Sequence, residues 1–584
     1  MEYRGDLKEE LKKVSYACGD VITDTLGVIS TPPQYLKQLR KDIPSIVYIQ
    51  TRAPYVLQDV PPQEVDNIAT IVNNPYLGLN GSGVIVGIVD TGVDYLNREF
   101  MREDDTSRIL TIWDQKSTKK PDPSVFVGSI FTNEDINNAI KSKMNGGNPY
   151  DIVDSRDEIG HGTKLASIIG ARGYNRTVKG IAPNCDFAVV KLLTSLNYEK
   201  EFRENGIENV PIYNESEIIA GIEYLKNFAG ALKRPLVICL AIGCTGASHD
   251  GRGLFSRYLT TIGSIRGVAV VVGVGNEGAA QGHAAGIIKS ENSIEKIELL
   301  ISREMKNFNL EFWIQRPNIM SLNIISPSGE ASSFIDAKIF LERSFKFILT
   351  NTSVDINYYV PDTFTGNELI LINFKDIKPG IWTFELRGDY IVNGRYDVWL
   401  PPSVLLPENT KFLKPEPLNT LMVPSTARYV ITVGYYNSQT QSLLSESGKG
   451  FNTNGWINPD ITTAGRDILT TSPGNQVVRM SGCSPATAIV SGVCALLFQW
   501  GIVNKNDRTM NSSKLRSYLV YGATRTQGQT YPNENTGYGF LDIYEVFKDI
   551  IAVPLPFNRN NQLDENYIEY YFGRLFISVP SDLY

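Results

Sequence analysis

The sequence predicts an α/β protein, a parallel sheet with helices on both faces, interrupted by an antiparallel β-sandwich and preceded by a small α+β unit. Three observations carry this. From about Gly81 onward, apolar runs of strand length alternate with amphipathic segments of helix length, the pattern of strands buried on both faces and joined by crossover helices. Between Lys296 and Leu400 short strand-like runs follow one another with no helical period between them, as in a sandwich. After the Pro-rich stretch Pro401–Pro417 the first pattern resumes.

Residues 1–50 offer a polar helical stretch around Leu7–Val14, a helix over Pro33–Lys41 and a closing strand, Ile46–Gln50. Some fifty residues bury too little apolar surface for a robust core of their own, so this unit is expected to lean on a larger one. A linker rich in Pro and Gln follows, Ala53–Gln63. Val84–Val89, Phe187–Leu193, Leu236–Ile242 and Val268–Val274 read as buried strands. Between them lie helices over Lys164–Gly170, Glu217–Phe228 (with Asn214 as a candidate N-cap) and Leu254–Ile265. In the insert the strand signals are Ile297–Ile301, Leu310–Ile314, Phe345–Leu349, Leu369–Asn373, Ile381–Leu386 and Arg395–Leu400, with turns at Ser326–Gly329 and Lys378–Gly380. Tyr429–Val433 is then a strand, Pro485–Trp500 a long apolar helix and Leu515–Tyr521 a further helix. The division expected is 1–55, 56–288, 289–425 and 426–584, the second and fourth segments forming one α/β domain around the third.

Composition narrows the function. Hydrophobic residues make up 42% and charged residues 20% of the 584 positions, which excludes a largely disordered or fibrous chain. With 56 Lys+Arg against 63 Asp+Glu the net charge is −7, and no long basic run occurs, so a nucleic-acid partner is not expected. Cys18, Cys185, Cys239, Cys244, Cys483 and Cys494 form no CxxC pair. Cys185, Cys239 and Cys494 fall in apolar runs and read as buried thiols, not as a disulfide framework or a zinc site. The stretch MEYRGDLKEELKKV has no signal-peptide apolar region, and no run reaches the ~18 apolar residues of a membrane helix. A reducing interior is the expected compartment of synthesis.

Four local signatures carry chemistry. Asp90 ends the strand-like run VIVGIV and precedes Thr91-Gly92. A carboxylate at the carboxyl end of a parallel strand stands where α/β folds place ligands; helix capping is the bland alternative. Gly160-His161-Gly162-Thr163 opens an apolar helix, and only His249 and His283 compete with His161 as general base. Small neighbours leave room for a substrate around that imidazole. Ser481-Gly482-Cys483-Ser484-Pro485 heads the helix Pro485–Trp500. Read as its N-cap, Ser484 exposes its hydroxyl beside free N–H groups that favour an oxyanion, and Pro485 takes the first helical position. Asn276, in Gly275-Asn276-Glu277-Gly278 after the strand Val268–Val274, supplies a side-chain amide able to donate to such an oxyanion.

Asp…His…Ser in this chain order is the subtilisin order. Asp90-Thr-Gly, His161-Gly-Thr, Gly275-Asn-Glu-Gly and Gly482-Cys-Ser resemble the four hallmark blocks of subtilisin-like serine proteases, the subtilases. Gly180-Ile-Ala-Pro183, Pro459-Asp460 with Ala464-Gly465, and Gly537-Tyr-Gly-Phe-Leu-Asp542 support the match, which spans about Gly81–Lys548 apart from the insert. The segments NPYLGLNGSGVIVGIVDTGVDY, ILTIWDQ and AIGCTGASHDG, with a jelly-roll-like insert between the Asn and Ser blocks, are similar to the germination-specific Csp-type subtilases of spore-forming bacteria. Departures are Cys483 where most subtilases have Thr, Pro485 for the usual Met or Ala, Ala488 for a proline, and Asn97-Arg98 for His-Pro. None removes a catalytic atom.

The resemblance implies a serine endopeptidase with a triad of Asp90, His161 and Ser484 and an oxyanion hole at Asn276 and the Ser484 N–H. It implies an extended substrate paired with the edge Ala241, Ile242 and Gly243. Calcium sites are common among subtilases, but the acidic residues here show no ordered ligand spacing, so no metal is expected, and no cofactor. The implied task is limited proteolysis of a cortex-lytic zymogen during germination. Residues 1–55 would be a prodomain that acts as an intramolecular chaperone, is cut near residues 50–60 and is a bound partner. Other Csp-type subtilases are further partners, and the spore cortex or coat region is the implied location. The readings that compete are a non-catalytic germinant sensor or scaffold on the same fold, and a general intracellular subtilase. His249-Asp250 is expected to shape the cleft or face solvent, Asp94 to support the Asp90 region or cap locally, and the aromatic tail Asn566–Tyr584 to pack on the domain.

Overall fold

The computed structural model describes residues 1–50, 66–72, 74–339 and 341–552, with the backbone of three further strands, Pro54–Leu57, Tyr567–Phe572 and Leu575–Pro580. Most of the linker and the tail side chains lie outside the described residues.

The centre is a mixed sheet of nine strands. In spatial order they are Ser442–Leu443, Ile431–Asn437, Val268–Gly273, Leu236–Leu240, Ile85–Asp90, Asp186–Lys191, Ile109–Asp114 and Ser129–Thr132, with Ile461–Ala464 also pairing to Ile431–Asn437. Its inner pairs are parallel and only the two terminal pairs are antiparallel. Ile85–Asp90, Leu236–Leu240 and Val268–Gly273 are buried at every position, which is why their sequences are unbroken apolar runs rather than alternating ones. One face of the sheet packs on the helices His161–Gly170 and Cys483–Phe498, the other on Glu215–Ala231 and Leu254–Ser264. Helices on both faces of a largely parallel sheet is the architecture the sequence predicts.

The helix Cys483–Phe498 is buried on all sides. The stretch Cys483–Val503 meets the length and composition of a membrane span, contrary to the expectation that no run does, yet 83% of its most apolar window is buried in the protein. Its apolarity is that of a core helix.

Between the two halves of this domain stand two antiparallel sheets packed into a sandwich. One has six strands in the order His283–Ile287, Arg395–Trp399, Met305–Ile314, Glu368–Ile377, Thr352–Tyr359, Glu342–Phe347; the other has four, Ile319–Ile325, Gly380–Tyr390, Ile294–Ile301, Lys411–Phe412. Trp382, Phe312, Phe374 and Phe384 meet in their shared core. Four of these strands carry no signal in the sequence reading: His283–Ile287, Ile319–Ile325, Thr352–Tyr359 and Lys411–Phe412. The run Phe345–Leu349 ends earlier than expected, because Ile348 and Leu349 are turn residues exposed at 73% and 72%.

The N-terminal unit has helices Leu7–Leu11 and Leu36–Asp42, a strand Ile46–Tyr48 paired with Glu2–Tyr3, and a hairpin Cys18–Val21/Gly27–Ser30. Its core is small: Tyr3, Leu7, Leu11, Leu39, Ile43 and Ile46. It leans on both larger parts. Tyr48 meets Phe364 of the sandwich edge to face at 4.0 Å, Lys37 pairs with Glu342, and Gln50 Nε2 donates to Glu215 Oε2 at 2.8 Å.

Candidate active site

The carboxyl ends of the central strands converge on one cleft. Asp90 is the last residue of Ile85–Asp90. His161 opens its helix behind Gly160, whose φ of +81° turns the chain into the first turn. Gly162 lets that turn approach the Asp90 loop: a Cβ there would lie 2.1 Å from the carbonyl oxygen of Gly92. The small residues around His161 therefore serve backbone approach, not only space for substrate. Ser484 is the second residue of the helix Cys483–Phe498, and the N-cap is Gly482 at φ +99°. The expectation of a serine N-cap with proline at the first helical position is thus corrected by two residues. Pro485 is still tolerated because N–H groups of the first turn have no intrahelical acceptor.

These side chains meet. His161 Nδ1 lies 2.8 and 2.9 Å from the two oxygens of Asp90, and His161 Nε2 lies 3.1 Å from Ser484 Oγ. All three residues are buried. The Asp90 carboxylate also accepts the Thr91 N–H at 2.7 Å. Such a chain can pass a proton from hydroxyl to imidazole while the carboxylate holds the ring's orientation. Asn276 lies against the start of the Ser484 helix, with its Oδ1 accepting the Cys483 N–H at 3.0 Å. Beside it, burial holds the Glu277 carboxyl above its ordinary range although Ser403 donates to it from backbone and hydroxyl.

The wall of the cleft is the short strand Ile242–Gly243, which continues from Leu236–Leu240 past Ala241. Pro54–Leu57 lies along it antiparallel, Val56 opposite Gly243 and Leu57 opposite Ile242. On its other side Pro54–Leu57 pairs with Tyr213–Asn214, Tyr55 opposite Tyr213. A segment expected to be linker is therefore the central strand of a three-stranded sheet built across the cleft. Tyr213–Asn214, the second wall, was missed: two residues make no run that a sequence pattern can register. Asn214 does stand at the N-cap of Glu215–Ala231, without a side-chain capping bond.

Other expectations resolve away from the reaction centre. His249 and Asp250 neither line this cleft nor face solvent. Both are buried, and His249 stacks on Trp399 at 3.9 Å, with His283 stacked on the same indole at 4.7 Å. Asp94 accepts the Leu96 and Gly474 N–H groups, bracing the loop after Asp90. Cys244 and Cys483 are buried like Cys185, Cys239 and Cys494, and Cys18 is exposed. Among the described residues no three His, Cys, Asp or Glu side chains form a group able to hold a metal ion.

The subtilase family model, Peptidase_S8, matches residues 81–334 and 409–539. The chain belongs to the subtilase family. Its structure superposes on that of the Clostridium perfringens CspB protease with a TM-score of 0.74 and 30% identity, covering 84% of this chain and 97% of that one. The resemblance to Csp-type subtilases thus extends from motifs to a structure matched over 84% of this chain. Among curated relatives, a PII-type proteinase of Lacticaseibacillus paracasei is 22% identical over 80% of this chain but only 25% of its own length. The subtilisin-like protease SBT6.1 of Arabidopsis thaliana is 27% identical over 22% of this chain and 13% of its own. The chain spans a quarter or less of these curated relatives. The family is that of the subtilisin-like serine proteases.

Proposed function

We propose that this subtilase cleaves itself once and then performs limited proteolysis on a protein zymogen, with Ser484 as nucleophile, His161 as general base and acid, and Asp90 orienting the imidazole. The observation that carries this is the continuous Asp90–His161–Ser484 chain at hydrogen-bond distance, with Ser484 at a helix N-terminus. Ser484 Oγ attacks the scissile carbonyl as its proton moves to His161 Nε2, and the same proton goes to the leaving amine. The oxyanion forms beside the Ser484 N–H and the Asn276 amide. Residues Ala241, Ile242 and Gly243 hold the substrate as an added strand. Residues 1–55 act as prodomain, and the strand Pro54–Leu57 in the cleft supports self-cleavage near residues 50–60.

The likeness to the CspB protease supports a finer reading, that the zymogen is a cortex-lytic pro-enzyme of germinating spores; packaging of the chain in the spore cortex or coat region is a further part of the proposal. Intact mass and N-terminal sequencing of wild type beside Ser484→Ala test the chemistry. Wild type is expected to lose an N-terminal fragment and to be labelled at Ser484 by a fluorophosphonate, the variant neither. Absence of both in wild type overturns the protease reading in favour of a scaffold. Incubation of the wild type with a purified cortex-lytic pro-enzyme tests the substrate; an uncut pro-enzyme overturns that part alone.

A further inference from the structure

One buried carboxylate near the reaction centre is not used by the mechanism. Asp157 is 5% exposed and lies in the loop before His161. It accepts four hydrogen bonds: to Oδ1 from Thr91 Oγ1 at 2.7 Å and the Gly160 N–H at 2.6 Å, and to Oδ2 from the Thr163 N–H at 2.9 Å and Thr163 Oγ1 at 2.6 Å. Gly160 brings no side chain to cap the histidine helix, so Asp157 satisfies the N–H groups that a cap would otherwise serve.

The bond to Thr91 has a further effect. A hydroxyl has one proton to donate, and Thr91 gives it to Asp157. Its oxygen is thereby turned to accept, and it accepts the Gly162 N–H at 3.0 Å. Thr91 follows Asp90 directly and Gly162 follows His161 directly. The Thr163 hydroxyl does the same on the other oxygen, donating to Asp157 and accepting the Asp94 N–H at 2.9 Å. The loop itself is pinned on both sides of Asp157, since Lys191 Nζ donates to the Arg156 carbonyl at 2.6 Å and to Glu158 Oε2 at 2.9 Å. Lys191 is the cross-strand partner of Asp90.

We propose that Asp157 is a positioning residue for the reaction: by fixing which way the Thr91 and Thr163 hydroxyls point, it sets the separation and angle of the Asp90 carboxylate and the His161 ring. This rests on His161 and Ser484 acting as proposed above. A shift of a few tenths of an ångström in that pair affects proton transfer and not substrate pairing, because Ile242–Gly243 and Tyr213–Asn214 belong to other segments.

The test is the rate of Ser484 labelling by a fluorophosphonate in the full chain, resolved into its maximal rate and the reagent concentration giving half of it. Thr91→Val keeps the shape of the side chain and removes the hydroxyl. It is expected to lower the maximal rate at least tenfold while the half-saturating concentration stays within twofold, and Thr91→Ser, which restores the hydroxyl, recovers most of the loss. Thr163→Val and Thr163→Ser read the second carboxylate oxygen in the same way and stand in if Thr91→Val does not fold. An unchanged maximal rate, a serine variant as slow as its valine counterpart, or an effect confined to half-saturation overturns the proposal. A wild type that does not label fails the functional reading instead, so the two failures are distinguishable.

Discussion

The Cys483 N–H donates to Asn276 Oδ1 at 3.0 Å, binding the residue before the nucleophile to the side-chain amide. The bond fixes the amide's orientation. With its carbonyl oxygen engaged, the Nδ2 end is the one that can donate into the cleft. Replacing an oxyanion donor of this kind costs on the order of 10²–10³ in maximal rate. Asn276→Ala is therefore expected to slow labelling or peptide hydrolysis by that factor with little change in half-saturation. A loss below about threefold would remove Asn276 from the oxyanion hole.

Gly162 sits where the histidine helix comes closest to the Asp90 loop, and an added Cβ would lie 2.1 Å from the Gly92 carbonyl oxygen. Backbone must move to relieve that contact. Overpacking of this sort costs about 1–3 kcal/mol, and here the movement separates His161 from Asp90. Gly162→Ala is expected to melt lower than wild type and to lose self-cleavage almost completely, as judged by intact mass. Normal processing would mean that the two loops have more slack than this geometry gives them.

Tyr48 and Phe364 join the N-terminal unit to the sandwich with ring centroids 4.0 Å apart. An aromatic pair contributes about 0.5–1.5 kcal/mol beyond its buried area, a change of roughly two- to tenfold in the affinity of a separated fragment. After self-cleavage, Tyr48→Ala is expected to release its N-terminal fragment more readily on size-exclusion chromatography and to show higher protease activity at low concentration. If retention equals that of wild type, the hold lies elsewhere, with Gln50–Glu215 and the strand Pro54–Leu57.

The sequence made the central sheet legible because burial on both faces leaves strands no polar positions, and Ile85–Asp90 or Val268–Gly273 then stand out as runs. The sandwich strand Thr352–Tyr359 was hidden for the opposite reason: every second residue is only half-buried, so Ser353, Asp355 and Asn357 break the run. Asp90, His161 and Ser484 were legible because each stands within two residues of a glycine at positive φ: Gly92, Gly160 and Gly482. Asp157 was not, since its role arises from hydroxyls 66 and 6 residues away in sequence. Pro54–Leu57 likewise gained strand structure from two distant walls, not from its own composition.

Asp66 anchors the chain where it enters the protease domain, nine residues beyond Leu57. Its carboxyl accepts Thr463 Oγ1 at 2.6 Å and Tyr436 OH at 3.1 Å. Burial pushes its pKa up to about 7, and these bonds only partly offset that rise. The sign follows directly. A carboxyl that holds its proton more tightly folded than unfolded stabilises the fold at low pH, and that stability is lost as pH rises from about 4 to about 7. Above this window the carboxylate is ionised in both states and the dependence flattens. In the Ser484→Ala background, which avoids self-cleavage, Asp66→Asn removes this titration. Between pH 5 and pH 8 the chain with Asp66 is expected to lose about 2–3 kcal/mol relative to the Asp66→Asn chain, read from urea midpoints. Glu311, whose pKa burial likewise pushes up to about 7, titrates in both chains and cancels from the difference. Parallel pH profiles for the two chains would show that Asp66 is hydrated in solution and that the entry segment is not locked in its pocket.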